Sequence, residues 1–393
     1  KAAFRRELAK GYAFVGISFI IPNFLKAQAM ARMVRKQSPR TRIILGGHGT
    51  SIPGIETLID CDEVCRGEGI AFLRALLSEP LDRPIRHPVM HSSYNRKVMG
   101  VPIPDSSAIL VPGVGCPNKC RFCATSHFFG AYVPYLRTGQ EVFDACCRAH
   151  DELGVTDFGV LDENFLKMPN RARELIDCQE RAKRPFTFAI FSSAETLTAM
   201  GDLDLLVRMG VNFIWMGVES KRDMFEKNRG VDFAVLIREL RRRGIAVMAS
   251  AILFLEHHDS QTIHEDIDFA IGLQPDYLQF MGLGPIPGTP LYEDYAQQGK
   301  LPADIPWEEQ HGQDRIWFDH PSFTRAETRQ VLIDAFLQDY RENGASFMRM
   351  LETTLNGLQY TSTHADPRVR LRSSAFLRLA RQLRVFLAAS FIF

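Results

Sequence analysis

The stretch Val114-Gly115-Cys116-Pro117-Asn118-Lys119-Cys120-Arg121-Phe122-Cys123 decides how the rest of this chain is read. Its cysteines have C-x3-C-x2-C spacing, which puts three thiolates on one short loop. Three thiolates ligate three irons of a 4Fe–4S cube and leave the fourth iron without a protein ligand. An open metal position is where a cofactor or substrate binds and reacts. The alternative for the same residues is a zinc knot made by Cys116, Cys120, Cys123 and His127, because structural zinc takes four closed ligands.

Working outward, the chain has 393 residues, enough for two or three domains and at least one large core. Its 46% hydrophobic and 24% charged content is that of an ordinary globular protein. A formal net charge of +1 creates no long-range field for a polyanion, so charge points to no nucleic-acid partner. Eight cysteines, three of them clustered at metal spacing, are too few and too uneven for a secreted disulfide framework and suit a reducing cytosol. Cys61, Cys65, Cys146, Cys147 and Cys178 read as small apolar side chains. No signal peptide and no uncharged apolar run of about 18 residues is apparent.

The pattern predicts an α/β protein. Residues 13–21 form an apolar run like a buried parallel strand, followed by a helical pattern from Phe24 to Gln37, a strand Arg42-Ile43-Ile44-Leu45 ending in Gly46-Gly47, and a short strand near Glu63-Val64-Cys65 closed by Gly67-Glu68-Gly69. This alternation argues for a partial doubly wound, Rossmann-like domain over residues 1–82. Residues 83–107 are a proline- and histidine-rich linker. From 108 to 300, strands are expected just before Cys116 and at Asp157–Leu161, Phe186–Phe191, Phe213–Ser220, Ala246–Leu255 and Tyr277–Met281, making a partial (β/α)6 barrel. Ligands of both fold types bind at the carboxyl ends of the strands. Residues 301–393 form a helical region, with Thr324 and Glu327 as a capping pair. Its end sets Arg368, Arg370, Arg372, Arg378, Arg381 and Arg384 among Phe376, Leu377, Leu379, Leu383, Phe386 and Leu387. That pattern suits a helix packed on the barrel or, alternatively, one lying on a membrane surface.

The cysteine loop, with an aromatic residue before its third cysteine, resembles the signature of the radical S-adenosylmethionine (SAM) superfamily, in which the amino and carboxylate groups of SAM chelate the free iron. The resemblance extends over roughly residues 108–295. Gly217-Val218-Glu219-Ser220 is similar to the family's fourth-strand ending, and Pro285-x-Pro287-Gly288-Thr289-Pro290 to a sixth-strand ending of its cobalamin-dependent branch. Asp162-Glu163-Asn164-Phe165 stands where many members have Gly-Gly-Glu, and Phe254-Leu255-Glu256-His257-His258 replaces the usual glycine-proline turn. The resemblance implies SAM contacts from Phe122, Glu163, Glu219 and the backbone around Pro285; taken alone, each carboxylate also reads as a solvated loop residue. His257 and His258, adjacent on a strand, are expected to point apart rather than share a metal.

The N-terminal segment resembles the cobalamin-binding domain that precedes many radical SAM cores. Ser18-Phe19-Ile20 and Gly46-Gly47 match two parts of its pattern, with Ile20 in place of leucine; the part that can carry a lower-axial histidine would precede Lys1, so an N-terminally truncated chain is expected. His48 reads as a turn residue. Cobalamin is then expected at Ser18, Gly46, Gly47 and Gly67, with a bulky residue at Gly47 blocking its entry. The whole resembles the class B-type, cobalamin-dependent radical SAM methyltransferases. It implies an enzyme with a 4Fe–4S cluster, SAM and cobalamin that methylates an unactivated carbon and draws electrons from a flavodoxin or ferredoxin. The small-molecule substrate is expected to be apolar or lipid-like, and the location cytoplasmic, with membrane contact as the tail's alternative. The rival readings are a radical SAM cyclase or oxidoreductase without methyl transfer, and a non-enzymatic zinc domain.

Overall fold

The structure, a computed structural model, describes residues 2–91, 97–98, 101–102, 107–222 and 225–390. Much of the proline-rich linker, and the side chains of Arg384, Phe386 and Leu387, lie outside the described residues.

After helix α1 (Ala2–Leu8), the first sheet is built from β1 (Phe14–Ser18), helix α2 (Phe24–Gln37), β2 (Arg42–Gly46) and β3 (Glu63–Val64). The strands run parallel in the order β1-β2-β3, with Ser18 opposite Gly46 and Leu45 opposite Val64. Helix α2 forms because Phe24, Ala27, Ala31 and Val34 recur at helical spacing, and that stripe is buried on Ile17, Ile43 and Leu45. A short helix α3 (Gly69–Leu76) follows, its first N–H groups capped by the Glu68 carboxylate.

The second sheet holds β4 (Ser107–Leu110), β5 (Asp157–Val160), β6 (Thr187–Phe191), β7 (Val211–Glu219), β8 (Ala246–Leu253) and β9 (Tyr277–Gly282), parallel and in that spatial order. The expected strand before Cys116 is β4, which begins at the last residue assigned to the linker. Crossovers include α4 (Ala124–Phe128), α5 (Gly139–Leu153), α6 (Pro169–Ala182), α7 (Phe233–Arg242) and α8 (Thr262–Gly272). Because all six strands point the same way, every strand end from Leu110 to Gly282 opens on one mouth. The arc is not closed into a ring. At its margins Ile109 N–H donates to Met90 O at 2.9 Å and Gly282 N–H to Gly312 O at 2.7 Å.

The carboxyl-terminal helices α9 (Arg325–Asn343), α10 (Ser346–Thr363) and α11 (Ser373–Ser390) cover the outside and the end opposite the mouth. Thr324 and Glu327 form the expected capping box of α9. Beside the strand starts, Thr353 donates to Asp276 at 2.6 Å and the Tyr277 hydroxyl meets Met350 Sδ at 3.1 Å. Gly357 of α10 crosses Gly244 so closely that a Cβ there would lie 2.6 Å from the Gly244 Cα, with Phe376 of α11 filling the adjacent space. Arg372 is 4% exposed and donates to Phe186 O, Gln179 Oε1 and Arg208 O. Burial pulls its pKa down to about 10. The described part of the basic tail is thus a barrel-packing element, with Ala375, Phe376 and Leu383 buried. No helix among the described residues is long and apolar enough to cross a membrane.

Arg372→Ala strips the buried carbonyls of Phe186 and Arg208 of their donor, and the expected loss is about 2–4 kcal/mol of stability. Chemical denaturation of wild type and variant measures it; an unchanged midpoint would show the helix to be peripheral.

Candidate active site

The cysteine loop leaves the sheet after β4 and returns through a hairpin pairing Gly113–Val114 with Val133–Pro134. Gly115, at φ +86°, allows that return, since a Cβ there would collide with Ala131 O. A buried ion pair anchors the hairpin to the sheet. Arg171 of α6 donates to Asp162 Oδ2 at 2.8 Å, the Tyr132 hydroxyl donates to the same oxygen at 2.6 Å, and neither charged side chain has exposed surface. Asp162 is therefore structural, and the next residue, Glu163, is the one left at the mouth. Its carboxyl is solvent-accessible yet walled by protein, which raises its pKa, while a hydrogen bond from Thr125 acts the other way.

On the opposite wall, β7 ends in an irregular register at Gly217/Glu219, and Glu219 adopts φ +62°. Non-glycine residues in the left-handed region are uncommon and concentrate at functional sites. The Glu219 carboxylate folds back over Gly217, where any Cβ would collide with it, and pairs with Lys227. Their side chains are 7% and 16% exposed. Lys227 lies close enough to Cys120 and Cys123 to interact with both sulfurs, and its charge lowers the Cys120 pKa against the larger, upward effect of burial. Burial likewise pushes the Cys116 thiol up to about 11, reinforced by the two other cysteines and Glu163.

The structure gathers every residue expected around SAM. Phe122 packs edge-on against Phe225 at 5.7 Å, two residues from Lys227. Pro285 is buried in the loop after β9, which returns to the cysteines where Leu291 N–H donates to Arg121 O and Arg121 pairs with Asp294 at 2.6 Å. Lys227 was not legible in the sequence, because it sits in an irregular loop eight residues beyond Glu219 with no pattern of its own.

His257 and His258 depart from expectation. They lie in a turn after β8, not on a strand, and their rings meet at 4.5 Å. With Asp266 they form a group of metal-binding size. However, His258 Nδ1 accepts from Leu255 N–H and Nε2 donates to Asp266 at 3.0 Å, so both nitrogens are engaged. Asp266 also accepts from Lys221 N–H, one residue after Ser220. The buried pair thus latches the turn after β8 to the turn carrying Glu219.

The donor set favours a cluster over a single ion. Zinc with about 2.3 Å Zn–S bonds holds its sulfurs about 3.8 Å apart. The three loop sulfurs do not form a group within 4.8 Å of one another among the described residues. His127, the fourth zinc ligand, is turned to Cys120 O at 3.1 Å. Cys116, Cys120 and Cys123 would hold a 4Fe–4S cluster.

Behind the loop, the two sheets meet. His48 packs at a tilt on Phe128 at 4.6 Å with Nδ1 buried and unpartnered, the Tyr135 hydroxyl donates to Glu68 at 2.5 Å, and Ile286 and Trp307 pack on the first sheet's core. Ser18, Gly46, Gly47 and Gly67 come together at its strand ends. Gly47 is a folding residue rather than an entrance: at φ +79°, its Cβ would lie 2.7 Å from Phe19 O and 2.9 Å from Ser18 Oγ. Gly46 has no such contact, its nearest neighbour being Cys65 Cβ at 4.0 Å. Ser18 is exposed and Ile20 is 53% exposed beside it.

Residues 110–270 match the family model of the radical SAM superfamily. The core is a radical SAM domain. Relatives of the chain include an uncharacterized methyltransferase of Pyrococcus horikoshii, 24% identical over 365 residues that cover 83% of this chain and 78% of that protein. The anaerobic magnesium-protoporphyrin IX monomethyl ester cyclase of Cereibacter sphaeroides is 24% identical over 82% of this chain and 55% of its own length. The hopanoid C-2 methylase of Rhodopseudomonas palustris is 24% identical over 61% of this chain and 49% of its own. The chain thus spans only about half the length of the last two.

Anaerobic reconstitution is expected to give about four irons per chain. Stoichiometric zinc without sulfide would overturn the cluster. Glu219→Ala is expected to weaken SAM binding by about tenfold to a hundredfold, with the cluster's visible absorption intact. Unchanged SAM cleavage by that variant would remove Glu219 from the site.

Proposed function

We propose that this chain is a cobalamin-dependent radical SAM C-methyltransferase acting on an apolar small molecule. The observation that carries the reading is the packing of the first sheet's strand ends, through His48 and Phe128, directly behind the cysteine loop at the barrel mouth. With cobalamin on the first sheet, two cofactors would share one neighbourhood. The methyltransferases among the relatives support the transfer reaction. A hopanoid and a magnesium porphyrin in the relatives' names support an apolar substrate.

When bound, a 4Fe–4S cluster with SAM supplies a carbon-centred radical that removes hydrogen from an unactivated carbon, and cobalamin supplies the methyl group. The protein's own residues position and exclude. Cys116, Cys120 and Cys123 hold the cluster, and Lys227 places a positive charge beside the last two. Glu219, neutralised by Lys227 until it meets a cation, is set to receive the SAM amino group. Glu163 faces it across the mouth. Helix α10 and Arg372 close the far end against water. Ser18, Gly46 and Gly67 would hold cobalamin on the first sheet, and a flavodoxin or ferredoxin would deliver the electrons. The cyclase relative favours a second reading, radical ring closure without methyl transfer.

Gly46→Leu tests the cobalamin assignment without collision at its Cβ. The variant is expected to keep its fold and cluster but retain at least about tenfold less cobalamin by absorbance. Equal retention, or none in the wild type, would favour the second reading. Transfer of label from methyl-labelled SAM to an extracted apolar fraction separates the two reactions.

A further inference from the structure

The inner face of the arc is fixed by strand alternation. Phe280 of β9 packs at 5.4 Å on Phe336 of α9, so it faces outward, and its neighbours Gln279 and Met281 face inward. In β7, Ile214, Met216 and Val218 are buried toward the helices, which turns Phe213 and Trp215 inward. In β8 the inward positions are Met248 and Ser250. Apart from one polar chain across three strands, and the Asp157–Thr187 pair at the starts of β5 and β6 that Arg378 engages, the inward positions named are apolar.

That chain begins at Trp215. Its indole N–H donates to Ser250 Oγ at 2.6 Å, and Ser250 donates to Gln279 Oε1 at 2.9 Å. Phe191 stacks on the indole at 5.1 Å and 27°, holding its N–H in line. An indole only donates, so the serine oxygen accepts there, and the serine hydroxyl donates to the glutamine carbonyl. The amide thus stands with its oxygen toward Ser250 and its NH2 away. Gln279 is part-exposed, and among the described residues nothing accepts from its Nε2. An amide donor held in an apolar surface is costly unless something accepts from it.

We propose that Gln279 Nε2 orients the substrate, and that this substrate is an uncharged apolar molecule presenting an oxygen acceptor, such as a carbonyl, to that amide. The inference rests on the apolar-substrate reading above and deepens it. Asp157 is the one charged side chain among the inward positions named, and Arg378 already engages it, so a carboxylate or phosphate would be desolvated there without a counter-ion. At the mouth, Lys227 is already paired to Glu219, and Glu163 is a further carboxylate that offers an anion no attraction. Trp215 and Phe191 offer flat apolar area for the body of the molecule.

Camphor and bornane, the same skeleton with and without a carbonyl, serve as probes of the anaerobically reconstituted full chain with SAM present. Binding is followed by tryptophan fluorescence. The wild type is expected to bind camphor about tenfold more tightly than bornane. Gln279→Leu is expected to erase that preference while binding bornane as before. Ser250→Ala, a small change that frees the amide to rotate, is expected to reduce the preference several-fold and guards against misfolding of the first variant. Equal affinities in the wild type, no binding of camphor, or an unchanged preference in Gln279→Leu would overturn the inference. SAM cleavage with a chemical reductant, measured in parallel, keeps the two readings apart. Cleavage without the camphor preference sinks only the role of Gln279, whereas the preference without cleavage sinks the radical enzyme.

Discussion

The Arg171–Asp162 pair, stripped of solvent on both sides, fixes where the cysteine loop sits. Two charges so deeply buried persist only with hydrogen-bond partners, and here the Tyr132 hydroxyl and the carbonyls of Leu136 and Phe165 add to the ion pair, leaving the guanidinium Nε as its one unpartnered nitrogen among the described residues. The three anchors come from the hairpin after the cysteines, the end of β5 and the start of α6. Removing either charge would leave the other buried and unpaired, so the loop has one attachment to the sheet and little freedom to shift. Its sulfurs are thereby held against Glu163 on one wall and the Glu219–Lys227 pair on the other.

A second layer of order sits one shell further out. Left-handed conformations at Glu219 and at Phe254 end two neighbouring strands, and the His258–Asp266 pair ties the turns that follow them. Strained backbone persists where surrounding contacts over-determine it. The two histidines that suggest a metal site are better understood as this latch, one ring spending both nitrogens on it.

Local chemistry was legible in the sequence and distant pairing was not. The cysteine spacing, the Phe24–Gln37 helix, the Thr324 cap and the strand-end motifs are written in contiguous residues, and each appears where its pattern puts it. Glu219 and Pro285 could be placed because strand ends of a parallel sheet share one mouth. Glu163 rather than Asp162 was named through the resemblance alone, since which carboxylate turns inward depends on Arg171 and Tyr132, which no local pattern shows. Gly47 read as an opening, yet the space beside it belongs to its own chain at Ser18 and Phe19. Lys227, and the line from Trp215 through Ser250 to Gln279, emerge only when loops and strands from separate stretches are brought side by side.

The arc's incomplete closure has one more consequence. A sheet that is not a ring has two margins, and a parallel strand with free N–H and C=O groups is a template for another chain. Here each margin is touched by other backbone, Met90 and the His91–Ala108 bridge on one side and Gly312 O on the other. Neither contact makes a seventh strand, but each takes a ladder position that an incoming chain would need first. The protein thus keeps a concave face open to molecules while denying its flanks to aggregation. Loosening the Met90 or Gly312 segment would be felt as insolubility during synthesis before it was felt as lost chemistry.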